Sequence, residues 1–108
     1  MSRYMLISSR EPFTCQSTND LYDLARELSR QGHQVTLFLV ENGVMVARAG
    51  VYSKLLQEAY AAGVEILAEE FSLRERAIPL NRLGAGIESA RLEVVLDALV
   101  ERVKTVWH

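Results

Sequence analysis

Three short apolar runs rich in β-branched residues, separated by stretches with helical spacing, constrain the fold of this chain most strongly. The runs cover residues 4–8, 35–40 and 64–68. Gly32 stands shortly before the second run and Gly63 directly before the third, where a glycine can end a helix in the left-handed conformation. Strand, helix and strand in this order are typical of right-handed βαβ units, so the sequence predicts an α/β fold with a parallel sheet.

Apolar residues recur at i, i+3, i+4 and i+7 in three segments, which predicts three helices that each turn one face to the core. The first inward face comprises Leu21, Leu24, Ala25 and Leu28, and the second comprises Leu55, Leu56, Ala59 and Tyr60. The third comprises Leu92, Val95, Leu96, Leu99 and Val103. We expect Ser17, Thr18 or Asn19 to cap the first helix. Ser72 and Glu75 fit a capping box that opens a further short helix before Pro79.

Two more short runs, at residues 87–89 and 105–107, are predicted as the last strands of the sheet. Trp107 in the final run would be costly to expose, so we expect it in the core or in a subunit interface. The 108 residues contain no linker or repeat, and 49% are hydrophobic. Residues 1–108 are therefore interpreted as a single domain.

Composition excludes several classes of function. The net charge is −2, and the basic residues form no cluster of the kind that binds nucleic acid. The sequence shows no long apolar segment and no secretory signal, so we expect neither membrane insertion nor export. One cysteine rules out an internal disulfide and fits the reducing cytoplasm. His33 and His108 form no ligand-spaced motif and no nucleotide-binding glycine motif is present, so we expect neither a metal nor a cofactor.

Several weak motifs occur together in a fixed order along nearly the whole chain. They include a Ser/Thr-rich start of the first helix, Gly32-His33-x-Val35, and Phe38-Leu39-x-x-x-Gly43-Val44-x-x-Ala47. Gly63-Val64 then leads to Arg76-Ala77-Ile78, followed by the last helix and strand. In this order the sequence resembles the DsrE-like family (DsrE, DsrF and DsrH), and its layout is most similar to the TusD-type members.

This resemblance implies a three-layer α/β/α fold with a mainly parallel five-stranded sheet. It also implies homo-oligomers, often trimers or hexamers, or heteromeric complexes with other DsrE-like subunits. Family members hand persulfide sulfur from protein to protein, which requires a nucleophilic thiolate. Their sulfur-accepting cysteine lies a few residues after the Gly-Val that begins the third strand. In this sequence that position is Glu69, and a carboxylate cannot accept sulfane sulfur.

Cys15 is the only thiol, and it lies in the loop after the first strand. In a parallel sheet this loop is expected at the carboxyl edge of the strands, where ligands of open α/β sheets bind. A nearby helix N-terminus would favour the thiolate. The sequence leaves two interpretations open, a relocated sulfur acceptor and an ordinary loop cysteine.

The same edge is expected to gather polar residues. Ser8, Ser9, Arg10, Asn42, Gly43 and Arg48 could line a pocket for a small anion, because backbone N–H groups and arginine suit carboxylate or phosphate. Glu69 and Glu70 could act as general acid and base, although adjacent residues of a strand point to opposite faces. The alternative is that these two carboxylates are solvated or paired with Arg74 and Arg76.

The sequence is consistent with three functions. The first is a non-catalytic subunit or binding protein linked to sulfur relay, favoured by Glu69 at the cysteine position. The second is a persulfide carrier that uses Cys15. The third is a module for a small anion or metabolite at the carboxyl edge, using Ser9, Arg10, Asn42, Gly43, Glu69 and Arg74.

Overall fold

A computed structural model describes residues 2–51 and 53–108 of the chain. Its strands are β1 (Arg3–Ser8), β2 (Gln34–Leu39), β3 (Glu65–Glu69), β4 (Ile87–Ala90) and β5 (Lys104–Trp107). Its α-helices are α1 (Gln16–Arg30), α2 (Lys54–Ala61), α3 (Glu70–Glu75) and α4 (Glu93–Val100). Stretches of 3-10 helix follow β2 at Glu41–Ala47 and precede β4 at Leu80–Arg82. Throughout the described residues, each helix is too short or too polar to cross a lipid bilayer.

Within the described residues the strands form one five-stranded sheet in the order β4-β3-β2-β1-β5. Every neighbouring pair runs parallel, with Leu6 opposite Leu37 in β2 and opposite Val106 in β5. Parallel strands need crossover connections, and the helices supply them. The α/β class and the three-layer arrangement expected from the sequence are confirmed.

Two separate clusters of buried side chains lie on the two faces of the sheet. On one face α1, α2 and α3 pack on a large cluster whose members include Leu6, Leu37 and Ile66. On the other face α4 packs on a smaller cluster of Met5, Ile7, Phe38, Val40, Leu67, Val95 and Ala98. The strand interiors are buried on both faces, which explains the near-continuous apolar runs in the sequence.

The predicted strands agree with the observed ones to within one residue at each end. Gly32 and Gly63 follow α1 and α2 with φ of 91° and 103°, in the left-handed region that glycine adopts without a steric penalty. β2 and β3 begin directly after these two turns, within one residue of the starts predicted from the sequence.

The predicted helix starts were wrong in two places. Cys15, and not Ser17, Thr18 or Asn19, is the N-cap of α1. The N-cap of α3 is Glu69, because β3 runs directly into this helix and leaves no loop in which Ser72 could act as a cap. Ser72 lies inside α3, and the capping-box interpretation is therefore also wrong.

Several side chains predicted to point inward are exposed. Leu24 and Tyr60 are 43% and 49% exposed, on α1 and α2. The helical part of the last segment is shorter than its apolar stripe, and three of its leucines are about half exposed: Leu92, Leu96 and Leu99. Trp107 is 60% exposed, so its expected place in the core is wrong and an interface remains a prediction.

Candidate functional site

The carboxyl edge of the sheet brings the loops after β1, β2 and β3 together. Because the three strands are parallel neighbours, Ser8, Leu39 and Glu69 end at the same edge. Ser9, Arg10 and Cys15 follow β1, whereas Asn42 and Gly43 follow β2. Arg74 lies on α3, beyond Glu69. The predicted site residues therefore share an edge, and their contacts decide which of them are available for chemistry.

The loop after β2 lies directly on the end of β1. The N–H of Val40 donates to the carbonyl oxygen of Ser8 at 2.9 Å. A Cβ atom placed on Gly43 would lie 2.2 Å from that same oxygen, much closer than any real contact. Gly43 is thus required for the close approach of two backbone segments, and this packing is sufficient reason for a glycine here.

Glu69 is a buried structural residue at the junction of β3 and α3. Its side chain accepts hydrogen bonds from the N–H of Phe71 at 2.6 Å and the N–H of Ser72 at 3.0 Å. The hydroxyl of Ser72 donates to the same carboxylate at 2.8 Å. Three donors, two of them orphan N–H groups of a helix N-terminus, hold a carboxylate that is 8% exposed.

This capping network extends to the loop after β2. The N–H of Glu41, a residue with φ of 50°, donates to the Ser72 hydroxyl at 2.8 Å. Asn42 accepts two hydrogen bonds from the guanidinium of Arg76, at 3.0 and 3.3 Å. The side chains of Asn42 and Glu69 are therefore both used to fasten the β2 loop to α3.

Glu69 and Glu70 form no ion pair with Arg74 or Arg76 among the described residues, although such pairs were one of the alternatives. Arg76 contacts Asn42 and the carbonyl oxygen of Ser72, at 3.2 Å for the latter. Among the described residues Arg74 forms no ion pair, and its side chain is exposed on α3. Glu69 is neither solvated nor paired because backbone and hydroxyl donors of α3 surround it.

Cys15 occupies the corresponding position at the start of α1, the longest helix. Its backbone is extended, with φ of −128° and ψ of 101°, and its side chain makes no capping hydrogen bond. The sulfur lies 3.1 Å from the hydroxyl of Ser17 and is partly accessible. No acidic residue stands in the first turn of α1, so the positive end of the helix dipole faces the sulfur without a compensating carboxylate there.

These surroundings favour the thiolate of Cys15. The hydroxyls of Ser17 and Thr18 lower the pKa of the thiol to about 7, with smaller contributions from the N–H of Thr18 and the side chain of Arg10. A thiol with this pKa is half ionised near neutral pH, whereas an unperturbed cysteine is ionised to a few per cent. Cys15 is therefore the nucleophile that this edge offers.

The remaining predicted residues after β1 are mainly held by local contacts. The Ser8 hydroxyl is fully buried and donates to the carbonyl oxygen of Arg10 at 3.2 Å. The Ser9 hydroxyl donates to the carbonyl oxygen of His108 at 2.9 Å and so ties β1 to the residue after β5. Arg10 keeps an exposed side chain near Cys15.

Arg48 lies away from this edge. It pairs with Leu83 in an isolated bridge and lines a mainly apolar cavity of about 470 Å³ between α2 and β4, together with Leu56, Tyr60 and Ile87. The structure thus brings Arg10 close to Cys15, holds Ser9 against His108, gives Asn42, Gly43 and Glu69 packing roles at the same edge, and places Arg48 elsewhere.

Three residues of the site, Ser17, Thr18 and Ser72, were not identified as site residues from the sequence. Thr18 contributes to the environment of the sulfur, and the arrangement Cys15-Gln16-Ser17-Thr18 carried the signal, since residues two and three beyond an N-cap lie beside its side chain. Ser72 links Glu69 to the β2 loop. Its role depends on contacts between segments about thirty residues apart, which a local pattern does not contain.

Comparison with known proteins supports the fold. The structure is similar to the YchN protein of E. coli, with a TM-score of 0.89 and 19% identity over 100% of both chains. It is also similar to MTH1491 of Methanobacterium thermoautotrophicum (TM-score 0.85, 18% identity, 100% of both chains). A third similar structure is BT1422 of Bacteroides thetaiotaomicron (TM-score 0.75, 17% identity, 97% of this chain and 94% of that one). The last two are described as proteins of unknown function. No family model and no curated protein matches the sequence.

Proposed function

We propose that this chain is a DsrE-like sulfur-relay protein that accepts persulfide sulfur on Cys15 and not at the end of β3. The observation that carries the proposal is the position of Cys15 at the N-terminus of α1, on the carboxyl edge of the sheet, with a thiol pKa of about 7. Ligands of open parallel sheets bind at this edge. The order of motifs resembles that of the DsrE-like family, and this resemblance is the reason for proposing persulfide sulfur as the group that Cys15 accepts.

The proposed reaction is a thiol–persulfide exchange. The Cys15 thiolate attacks the outer sulfur of a donor persulfide, R–S–SH, and a new sulfur–sulfur bond forms on Cys15. The sulfur–sulfur bond of the donor breaks, and its electron pair leaves with the donor as the thiolate R–S⁻. The outer sulfur keeps its proton, so atoms and charge balance without a further reactant.

The residue at the usual family position supports the relocation. Glu69 has no sulfur, and its carboxylate already accepts hydrogen bonds from three donors of α3. Releasing it for other chemistry would leave buried N–H groups without partners, which is costly. A cytoplasmic location belongs to the same proposal, because a sulfur carrier needs its thiol kept reduced.

Intact mass spectrometry tests the proposal. The protein is incubated with a persulfide donor, desalted and weighed, in parallel with the Cys15→Ser variant. We expect the wild type to gain the mass of one sulfur atom, reversed by dithiothreitol, and the variant to gain none. The sequence contains one cysteine, so the gain is assigned without peptide mapping. A wild type that gains no sulfur would contradict the proposal.

A second candidate function is that of a non-catalytic subunit that acts by association. One observation favours it, namely an exposed apolar surface formed by Leu92, Leu96, Leu99, Val100 and Trp107, here called the α4–β5 surface. Trp107 lies on the same face of the sheet as α4, because it is the register neighbour of Ile7, which packs beneath this helix. Exposed apolar patches of this kind mark protein–protein contacts.

The occupant of the α4–β5 surface in this second proposal is a further copy of the chain, in a trimer or hexamer, or another DsrE-like subunit. Native mass spectrometry of the wild type, Leu96→Asp and Leu80→Asp tests it. Leu80 is 60% exposed and lies in the 3-10 stretch before β4, so its variant adds the same charge elsewhere. We expect an oligomer for the wild type and Leu80→Asp and a monomer for Leu96→Asp. A monomeric wild type in the presence and absence of DsrE-like partners would contradict it.

A further inference from the structure

The hydroxyl of Thr18 is an unused hydrogen-bond donor in the interior of the protein. Thr18 is 0% exposed, and within the described part of the chain its Oγ1 atom has no hydrogen-bond partner. Buried hydroxyls normally have a partner, because leaving one without costs its full desolvation. An unpartnered buried donor is therefore available to an acceptor that forms beside it in another state of the protein.

That acceptor is close at hand in the ionised form of Cys15. Thr18 is the third residue after the N-cap, its N–H donates to the Cys15 carbonyl oxygen at 3.2 Å, and its hydroxyl lowers the pKa of the Cys15 thiol. A neutral thiol is a weak acceptor, whereas a thiolate accepts a charge-assisted hydrogen bond. Ionisation thus gives the orphan hydroxyl the partner that it lacks when Cys15 carries its proton.

We propose that Thr18 is a positioning residue that holds the sulfur at Cys15 as an anion, by donating its buried hydroxyl to the thiolate. The proton of the thiol goes to solvent, and the Thr18 O–H turns toward the charged sulfur. Use of this anion for sulfur transfer depends on the proposed function, but the hydrogen bond itself does not. The class of group that the site holds is an anionic sulfur.

The charged residues nearest to Cys15 along the chain are Arg10, Glu11 and Asp20. Arg10 supports the thiolate from the preceding loop, and its contribution is the smallest. The carboxylate of Glu11 accepts from the N–H groups of Phe13 and Thr14, at 2.7 and 3.2 Å, and from the Thr14 hydroxyl. Asp20, one turn along α1, accepts from the side chain of Gln16 at 3.4 Å.

Tyr22 provides a matched control on the same helix. It lies four residues after Thr18, is equally buried, and its hydroxyl is also unpartnered within the described residues. Burial raises the pKa of Tyr22, and the side chain that faces its hydroxyl is Ser8. The Tyr22 hydroxyl makes no contribution to the pKa of Cys15. Removing it should disturb the core as much as removing the Thr18 hydroxyl, without affecting the sulfur.

The test is the rate of alkylation of Cys15 by iodoacetamide as a function of pH. We expect the midpoint of the profile to rise by about half a pH unit in Thr18→Val, which slows alkylation at pH 6 about threefold. Thr18→Ser, which keeps the hydroxyl, and Tyr22→Phe should both follow the wild type. Thr18→Ala removes the same hydroxyl and replaces Thr18→Val if circular dichroism shows that the valine variant is unfolded.

The inference is overturned if the variants without the Thr18 hydroxyl keep the wild-type midpoint, or if Tyr22→Phe shifts it equally. Sulfur loading from a persulfide donor is measured on the same samples. A shifted midpoint without sulfur loading of the wild type supports the role of Thr18 and contradicts the proposed function. Sulfur loading of the wild type with an unshifted midpoint in the Thr18 variants supports the proposed function and contradicts the role of Thr18. The two failures are therefore distinguishable.

Discussion

Cys15 and Glu69 occupy equivalent positions in the fold but differ in what their side chains do. Each lies at the carboxyl edge and is the N-cap of the next helix, α1 or α3, although Glu69 is the last residue of β3 and Cys15 lies in the loop after β1. Glu69 is 8% exposed and its carboxylate accepts three hydrogen bonds. Cys15 is partly exposed and makes no capping hydrogen bond, and the hydroxyls of Ser17 and Thr18 lower the pKa of its thiol.

The difference teaches that a position at the carboxyl edge does not by itself make a residue functional. An N-cap whose side chain satisfies the helix amides is committed to stability, as at Glu69. An N-cap whose side chain makes no hydrogen bond to those amides keeps the electrostatic field of the helix end available for its own ionisation, as at Cys15. We therefore expect substitutions at the β3–α3 junction to change mainly the free energy of unfolding, and substitutions at the start of α1 to change mainly the reactivity of the Cys15 thiol.

The largest effect is expected for Glu69→Ala. The substitution removes the cap of α3 and leaves the N–H and hydroxyl of Ser72 without their buried acceptor, which should lower the free energy of unfolding by about 2–4 kcal/mol. Glu70→Ala, one residue later, removes a carboxylate that makes no such bonds and should change it by about 0.5 kcal/mol or less. Urea unfolding followed by circular dichroism measures both. An equal loss of unfolding free energy in the two variants would show that the capping bonds of Glu69 do not stabilise the protein more than the neighbouring carboxylate of Glu70.

The next effect concerns the contact that brings the β2 loop onto the end of β1. In Gly43→Ala the new Cβ would collide with the Ser8 carbonyl oxygen, so the backbone must shift, at about 1–3 kcal/mol of stability. Gly84→Ala is the matched control, because a Cβ there would meet its nearest neighbour at 3.5 Å, an ordinary contact. Thermal unfolding of the two variants compares them. If Gly43→Ala is as stable as Gly84→Ala, the close approach is not what requires glycine.

The smallest stability effect is expected at the other N-cap. Because the Cys15 side chain makes no capping bond, Cys15→Ser should change the free energy of unfolding by about 0.5 kcal/mol or less, while removing all thiol reactivity. Urea unfolding and a thiol-reactive dye measure the two properties on one sample. A destabilisation as large as that of Glu69→Ala would assign Cys15 a structural role as well.

Much of the architecture was predictable, because β-branched apolar runs and helix-ending glycines are local signals. All five predicted strands were found within one residue of their expected ends, and Gly32 and Gly63 end their helices as expected. The helix faces were less predictable. The stripe on α4 was correctly identified as apolar, but the sequence does not reveal that no element of residues 2–51 and 53–108 covers Leu96 and Leu99.

The candidate site was predictable in place and less so in role. A parallel sheet with these loops after its first three strands is enough to predict that Cys15, Asn42 and Glu69 lie at one edge. The capping roles of Glu69 and Cys15 depended on helix starts, which shifted by a few residues from the pattern of hydroxyl residues. Such shifts decide whether a side chain meets backbone amides or solvent, and local propensity fixes helix ends only to within a few residues.

The pH dependence of Cys15 alkylation tests the contrast between the two N-caps most directly. The rate of reaction with iodoacetamide follows the thiolate, so its midpoint reports the pKa of the thiol in the folded protein. We expect a midpoint near pH 7, with substantial reaction already at pH 6.5. A midpoint near 8.5, that of an unperturbed cysteine, would show that the start of α1 does not activate its cap residue and would contradict the account.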